Sequence, residues 1–217
     1  MENFYKFNKF WLSAKVLPTA IHVLHNNKVV VGTAGVKDEL EREIPGQVVV
    51  LTENGKKYQI YEFDSNKEAL FTVPHRITSN INRDIIVLDR PPNRSVRLRS
   101  LDNEGNIKWD YTGSPILNQK HYFDPWDLVT TSHDSIITCD YSNDILHILN
   151  SKGDLINNIR LKTFDISRPV SMAIMENETL LIGCRSTTDN AKIHKLQIMS
   201  RSYPIIKYIL HCTNLPE

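Results

Sequence analysis

Two short apolar runs separated by a polar turn recur four times along the chain. Each copy opens with a proline, continues as an alternation of apolar and polar residues, and ends in a run of β-branched and aliphatic residues. The four copies run from Pro18 to Thr33, Pro74 to Asp89, Pro125 to Asp140 and Pro169 to Cys184, and each pair is fifteen residues apart. Alternation with a period of two is typical of a half-buried strand, so each copy is predicted to be a β-hairpin.

A second hairpin follows the first in three of the copies. Its strands are predicted in VVVLTENGKKYQIYEF, VRLRSLDNEGNIKWDY and ILHILNSKGDLINNIRL, with Gly55, Gly105 and Gly153 at the turn. Glycine is favoured where a tight hairpin turn needs positive φ. The fourth copy, IHKLQIMSRSYPIIKYIL, has a proline near the turn instead. Each copy is therefore predicted to contain four antiparallel strands.

Copies spaced by 56, 51 and 44 residues, with four strands each, are the pattern of a β-propeller. The sequence predicts an all-β fold of about four blades, starting near residues 18, 74, 125 and 169, within propeller repeats over 18–217. Residues 1–17 are predicted to form part of an incomplete blade or a strand that closes the ring. Four blades in an open arc leave sheet edges and blade faces uncovered, so a truncated ring is expected.

Composition narrows the classes of partner and the cellular location. The 217 residues include 26 basic and 25 acidic ones, and a net charge of +1 indicates neither a nucleic-acid nor a membrane partner. Apolar runs of about four residues predict no transmembrane helix. The three cysteines, Cys139, Cys184 and Cys212, are far apart and odd in number, which disfavours a disulfide framework. A cytoplasmic location is expected.

Histidines and aspartates are the candidates for catalysis or metal binding. His22 and His25 fall on opposite faces of a strand, and neighbours in the turn at 133–135 cannot form a hydrolase triad. Asp89 and Asp140 are candidate metal ligands at the centre of the propeller. A turn in which they accept hydrogen bonds from amides of the following loop explains their recurrence better. No catalytic residue, metal site or cofactor is predicted.

Blades 2 and 3 resemble NHL repeats. They contain an aspartate, an asparagine, an aliphatic strand and a glycine turn in that order: Asp89, Asn93 and VRLRSLDNEG, then Asp140, Asn143 and ILHILNSKG. The blade starts FDPWDL and RPVSM are similar to those of the same family, whereas Thr33 and Cys184 take the aspartate position in blades 1 and 4. The chain from about residue 16 onward is similar to the C-terminal propellers of tripartite-motif proteins.

The resemblance implies a six-bladed ring, of which this chain would hold about four blades, and a role in recognising partners of ubiquitin ligases. The RING, B-boxes and coiled coil of those ligases are missing from the sequence, and three dispersed cysteines cannot build a RING. The chain is therefore predicted to be a non-enzymatic protein-recognition module of the ubiquitination pathway. Two alternatives stay open, namely single-stranded RNA binding by the same face and a calcium-dependent propeller hydrolase. Edge or face association that completes the ring is a further possibility.

The predicted partner-binding residues lie in loops at the starts of blades. In a propeller, the loop that enters the innermost strand and the loop between strands two and three emerge on the same face. The residues assigned to this face are His75, Arg76, Arg90, Arg94, Trp126, Asp127, Tyr141 and Arg168. Tyrosine, tryptophan and arginine are enriched at recognition hot spots, although packing of Phe123 and Trp126 between blades is an equally good interpretation.

Arginines 90, 94, 97 and 99 form the densest basic group in the chain. Such a group suits phosphates or an acidic partner. Nearby acidic residues and the low net charge favour a solvated blade face over a nucleic-acid site.

Overall fold

The computed structural model describes residues 16–35, 44–91, 95–186, 192–198 and 211–212. Within these ranges the chain forms four four-stranded antiparallel sheets, and each sheet keeps its strands in sequence order. The prediction of an all-β propeller with four-stranded antiparallel blades is confirmed.

Each blade is one of these sheets. Blade 1 contains β1 (Val16–Val23), β2 (Val29–Gly35), β3 (Gln47–Leu51) and β4 (Lys57–Tyr61). Blade 2 contains β5 (Pro74–Ser79), β6 (Ile85–Asp89), β7 (Arg97–Leu101) and β8 (Ile107–Tyr111). Blade 3 contains β9 (Pro125–Thr130), β10 (Ile136–Asp140), β11 (Ile145–Leu149) and β12 (Leu155–Arg160), followed by a 3-10 helix, Leu161–Phe164. Blade 4 contains β13 (Pro169–Ile174), β14 (Thr179–Cys184), β15 (Lys192–Gln197) and β16 (His211–Cys212).

The strands divide between two compact units. The first unit contains blade 1 and the beginning of β5 up to Ile77, together with Asp89. The second unit contains the remainder of blade 2 and all of blades 3 and 4. Val16 and Leu17 belong to β1, and the earlier part of the predicted 1–17 segment lies outside the described residues.

The first hairpin of every blade closes with the same turn. In blade 3, Thr131 receives a hydrogen bond from the amide of Asp134 (3.1 Å) and donates its own amide to Ser135 (2.9 Å). The residue in the third turn position has positive φ in each blade: Asn27 (60°), Arg83 (67°), Asp134 (62°) and Glu178 (57°). The second hairpins of blades 1 to 3 place the predicted glycines at positive φ: Gly55 (75°), Gly105 (93°) and Gly153 (85°). The four sequence copies are therefore equivalent in structure.

The prolines fix the register of the inner strands. Pro18 faces Thr33, Pro125 faces Asp140 and Pro169 faces Cys184, each across an antiparallel pair. The residue after each of these prolines is skipped in the pairing, which makes it a β-bulge residue: Thr19, Trp126 and Val170. A bulge bends its strand and changes the direction of its side chain. The bulge in β9 places Trp126 at the edge of blade 3.

Apolar side chains fill the space between neighbouring blades of the second unit. We call the face of a blade that meets the preceding blade its leading face and the opposite one its trailing face. One cluster joins the trailing face of blade 2 to the leading face of blade 3: Ile86, Leu88, Leu98, Leu128, Ile136 and Leu149. Another joins blade 3 to the leading face of blade 4: Ile137, Cys139, Leu146, Ile148, Met172, Leu180 and Ile182. Burial of each such side chain contributes about 1.5–3 kcal/mol to folding.

Candidate functional site

Asp140, the last residue of β10, is the centre of a buried hydrogen-bond network. Its Oδ2 accepts hydrogen bonds from the side-chain amides of Asn118 (2.7 Å) and Asn143 (2.9 Å). Its Oδ1 accepts the backbone amides of Asn143 (3.2 Å) and Asp124 (3.4 Å). Hydrogen bonds to a carboxylate are about twice as strong as neutral ones, so this single side chain fixes the loop before blade 3 at several points.

The predicted role of the two aspartates is correct in kind, but one of the two loops is different. Asp140 accepts an amide from the loop that leaves β10, as expected, and another from the loop that enters β9. Asp89 instead accepts the amides of Thr72 (3.0 Å) and Val73 (2.7 Å), both in the loop that enters β5. The proline at the start of the inner strand pairs with the aspartate position, so the loop that enters this strand lies next to the aspartate. Asn93 lies outside the described residues.

The loop between blades 2 and 3, residues 112–124, presents an exposed tyrosine on a braced backbone. The side-chain amide of Asn143 contacts the carbonyl oxygens of His121 (3.2 Å) and Tyr122 (3.3 Å). Gly113 has φ of 100°, and a Cβ there would lie 2.6 Å from both Asn118 Oδ1 and Phe123 Cβ, so only glycine fits. Tyr122 is 96% exposed on this fixed loop. Its side chain is free to contact a partner without a large cost in backbone ordering.

Trp126 and Tyr141 stand together at the same edge of blade 3. Their ring centroids are 5.2 Å apart and the planes are tilted by 41°. Trp126 is the bulge residue of β9, and Tyr141 follows β10 and donates its amide to the carbonyl of Asp124 (3.0 Å). Both side chains are partly exposed, and Trp126 also packs against the apolar cluster between blades 3 and 4. Phe123 is buried in the core between blades 2 and 3. We call Tyr122, Trp126 and Tyr141 the aromatic edge.

Asp127 and Arg168, also predicted for this face, have different surroundings. Asp127 is buried, and its carboxylate accepts the amides of Leu128 (2.9 Å) and Met172 (2.7 Å), so it ties blade 3 to blade 4. Arg168 is exposed at the start of blade 4 with φ of 53°, and its amide donates to Asp144 Oδ1 (2.6 Å). Of these two side chains, Arg168 is the accessible one.

His75, Arg76 and Arg90 lie in the first unit. The His75 ring is half-buried, and burial together with the charges of Arg76 and Arg90 lowers its pKa to about 4. Arg76 donates a hydrogen bond from Nη1 to the carbonyl of His75 (2.9 Å). His75 is therefore neutral at physiological pH, and the positive charge of this group belongs to the two arginines.

A cavity of about 530 Å³ opens beside this group in the first unit. Its lining is mainly apolar, with one cation: Pro18, Thr19, Ala20, Ile21, Val31, Arg76 and Ile77. The Thr19 hydroxyl donates to the carbonyl of Pro74, which holds the bulge of β1 against the start of β5. The inner strand of blade 1 supplies most of the residues that line the cavity.

The dense basic group of the sequence is divided by the fold. Arg99 is buried in a bidentate ion pair with Asp110, with Nε to Oδ1 at 2.7 Å and Nη2 to Oδ2 at 2.6 Å. Arg97 and Arg90 are partly buried, and Arg94 lies outside the described residues. The expectation that Arg99 belongs to a solvated blade face is wrong, because its charge is neutralised within β7 and β8.

Sequence reasoning missed a buried row of three side chains, Tyr111, His147 and Asp140. The Tyr111 hydroxyl lies 2.7 Å from His147 Nδ1, and His147 Nε2 lies 3.5 Å from Asp140 Oδ2. Burial and the Asp140 charge raise the pKa of Tyr111. His147 and Asp140 are fully buried, so these groups hold blades 2 and 3 together and do not face a substrate. The three residues lie on separate strands, and no local motif connects them.

Burial suppresses ionisation of the two cysteines in the described part of the chain. Burial raises the pKa of Cys139 to about 12 and that of Cys184 to about 11. Among the described residues, no group of three or more His, Cys, Asp or Glu side chains could hold a metal ion. No helix in the same ranges is long and apolar enough to cross a membrane.

Comparisons with solved structures identify the fold. BBS1N in complex with ARL6DN is 15% identical over 97% of this chain and 59% of its own, with a TM-score of 0.63. Virginiamycin B lyase from Staphylococcus aureus is 16% identical over 92% and 70%, with a TM-score of 0.55. A luciferin-regenerating enzyme is 9% identical over 84% and 62%, with a TM-score of 0.57. The chain thus spans 59% to 70% of the length of these propellers.

The comparisons leave one sequence-based expectation unconfirmed and overturn another. No family model and no curated protein matches the chain, so membership of the NHL repeat family is not confirmed. The prediction that the chain is not an enzyme is overturned, because two of the three similar propellers are enzymes by name. At 9% to 16% identity the likeness shows a shared fold, and that fold accommodates both catalysis and binding.

Proposed function

We propose that the chain recognises a protein partner through the aromatic edge of blade 3. The observation that carries this proposal is the fixed and exposed Tyr122, held by Asn143 and the Asp140 network. Binding energy at interfaces concentrates in Trp, Tyr and Arg side chains, and a preorganised loop loses little entropy on docking. Arg168 is exposed at the start of the neighbouring blade.

Two further observations support a protein as the partner. BBS1N, a propeller of the same fold, forms a complex with ARL6DN. The similarity of the sequence from about residue 16 onward to tripartite-motif propellers points the same way. A cytoplasmic location and a link to the ubiquitination pathway belong to this proposal as well.

Single-stranded RNA is the alternative ligand that the sequence left open. RNA-binding grooves combine stacking aromatics with several unpaired cations. Trp126 and Tyr141 could supply the stacking, but the Arg99 charge is neutralised by Asp110. A protein partner is therefore favoured, and RNA becomes an outcome of the test below.

Site-specific cross-linking tests the proposal. A photoreactive phenylalanine analogue replaces Tyr122 in one chain and Tyr58, an exposed tyrosine of β4, in a control chain. We expect a protein adduct at position 122 and none at 58 when the chains are irradiated in cells.

The captured protein is then purified, and its affinity is measured by calorimetry. We expect Tyr122→Ala and Trp126→Ala to weaken binding about tenfold or more, and Tyr58→Ala to leave it unchanged. RNA in the adduct at position 122 would refute a protein partner in favour of RNA, and equal affinity of all variants would refute recognition through the aromatic edge.

A further inference from the structure

The cavity of the first unit is a cleft with an exposed rim and a buried floor. Pro18 and Ile21 of β1 are exposed at the rim, and Ile21 is 73% exposed. Val31 of β2 and Ile77 of β5 are buried and form the floor. The volume of about 530 Å³ falls within the roughly 300–1,000 Å³ of sites that hold small molecules. Its size and shape therefore suit a small ligand.

The polar side chain at the β1 side of this cavity is already engaged. The hydroxyl of Thr19 donates a hydrogen bond to the carbonyl oxygen of Pro74. Apart from Thr19 and Arg76, the described lining residues are all aliphatic: Pro18, Ala20, Ile21, Val31 and Ile77. Such a surface accommodates a hydrocarbon chain, because burial of apolar groups is favourable and leaves no polar group of the ligand without a partner.

Arg76 is the charged residue in this aliphatic lining. Its Nη1 donates to the carbonyl oxygen of His75 (2.9 Å), which keeps the guanidinium close to its own strand. A guanidinium has five N–H donors in a planar fork, and it binds a carboxylate through two parallel hydrogen bonds. A few polar groups in a mainly apolar site fix the orientation of a ligand. Arg76 therefore favours a ligand with an anionic end.

The electrostatic surroundings of Arg76 favour an anion as well. Burial first, and then the charges of Arg76 and Arg90, lower the pKa of His75 to about 4. The field that disfavours a charged imidazole favours a negative group. The Asp89 carboxylate, next to Arg90 in the chain, is engaged by two backbone amides of the loop that enters β5. The two arginines outnumber this carboxylate by one.

We propose that this cavity binds a small amphipathic carboxylate of the medium-chain fatty acid class, with its hydrocarbon chain on the aliphatic lining and its carboxylate on Arg76. Burial of the chain supplies affinity in proportion to its length, about fourfold for each buried CH₂ group. The ion pair selects an anionic head group and sets the direction of the ligand. The cavity belongs to the first unit, whereas the aromatic edge belongs to the second.

Isothermal titration calorimetry of the full 217-residue chain at pH 7 separates these two contacts. The probes are octanoate, 1-octanol and octylammonium, which share one chain length and differ in the charge of the head group. We expect octanoate to bind about tenfold or more tightly than 1-octanol, and octylammonium to bind most weakly. From hexanoate to octanoate the affinity should rise about fourfold per CH₂ group. Octanoate that fails to saturate the chain at millimolar concentration, or that binds no better than 1-octanol, would overturn the proposal.

Arg76→Gln tests the ion pair, because it removes the charge and keeps a side-chain donor. The affinity for octanoate should fall about tenfold or more, to that for 1-octanol, and the affinity for 1-octanol should stay unchanged. Arg160→Gln, at an exposed arginine of β12, is the matched control and should bind octanoate as the wild type does. Circular dichroism of both variants checks that they are folded. Unchanged octanoate binding by Arg76→Gln would overturn the assignment of the carboxylate to Arg76.

Methyl NMR of isoleucine-labelled wild-type chain locates the bound probe without any substitution. Octanoate should shift the methyl signals of Ile21 and Ile77, which line the cavity. The signals of Ile116 and Ile156, both in the second unit, should stay in place. Octanoate that shifts Ile116 or Ile156 and leaves Ile21 and Ile77 unchanged would overturn binding in this cavity.

Discussion

Blades 3 and 4 fix the chain before their proline with different residues. In blade 3, the amide of Asp124 is accepted by Asp140, which ends the second strand of the same blade. In blade 4 that position is Cys184, and the equivalent amide of Arg168 is accepted by Asp144, which lies in the preceding blade. Both blades have a carboxylate that accepts this amide, but the two aspartates occupy different positions in the repeat. A departure from a repeat motif is therefore not a loss of the interaction.

The two acceptors differ in what else they hold. Asp140 is fully buried and also binds the side chains of Asn118 and Asn143, which brace the loop of the aromatic edge. Asp144 is nearly buried and pairs with the exposed Lys162 at 3.2 Å. Asp140 therefore organises a candidate binding surface, whereas Asp144 mainly anchors one turn.

Asp140→Ala should have the largest effect on stability. It removes the carboxylate that accepts two side-chain amides and two backbone amides, and each buried group left unsatisfied costs about 1–3 kcal/mol. We expect a loss of about 3–5 kcal/mol in the free energy of unfolding, measured by urea titration. Glu53→Ala in an exposed turn is the control. A loss under about 1 kcal/mol would contradict a central role for Asp140.

Asp144→Asn should have a smaller effect than loss of Asp140 and a larger effect than Cys184→Ser. The substitution weakens a charge-assisted hydrogen bond to the Arg168 amide, worth about 1.5–3 kcal/mol. Cys184 contributes no acceptor to that amide, so the serine variant tests whether the position equivalent to Asp140 matters for stability in blade 4. Equal losses in the two variants, measured by the same urea titration, would mean that the acceptor has not moved.

Asn143→Ala should cost about 1 kcal/mol and should be coupled to Asp140. In an Asp140→Ala background the same change should cost less, because the shared hydrogen bond is already lost. A double-mutant cycle measures this coupling, expected at about 0.5–1 kcal/mol because it cannot exceed the cost of the single change. Additive losses would show that Asn143 braces the loop independently of Asp140.

The smallest expected effect is on the reactivity of the Cys184 thiol. Burial, and to a smaller extent the Asp144 charge, raise the pKa of Cys184 to about 11, above the 9.0 of an ordinary cysteine. The folded state therefore favours the neutral thiol, and this contribution to stability is present below pH 9.0 and is lost as the pH rises towards 11. Asp144→Asn should lower the pKa of Cys184 slightly, because it removes the nearby negative charge. Alkylation of Cys184 at pH 9, measured by peptide mass spectrometry, should therefore be faster in this variant. Cys139, with a pKa of about 12, is the slower internal reference.

The sequence predicted the repeating part of the fold well. Pro125 and Asp140 pair across the sheet, and Gly153 has the positive φ that its turn needs, because these features depend on neighbours along the chain. The network around Asp140 was only half predicted. Asn118 and His147 reach it from distant positions, and the Arg99 ion pair depends on the pairing of two strands. Such contacts are set by how strands and loops come together, which local patterns do not encode.

Amide hydrogen exchange of residues 112–124 tests the central claim most directly, namely that the loop of the aromatic edge is fixed before any partner binds. The account predicts that the amides of Ser114 and Asp124, bound to Asn118 Oδ1 and Asp140 Oδ1, exchange much more slowly than in an unfolded peptide. Asp140→Ala should abolish this protection while blade 4 remains protected. Exchange in the wild-type loop as fast as in an unfolded peptide would contradict the account.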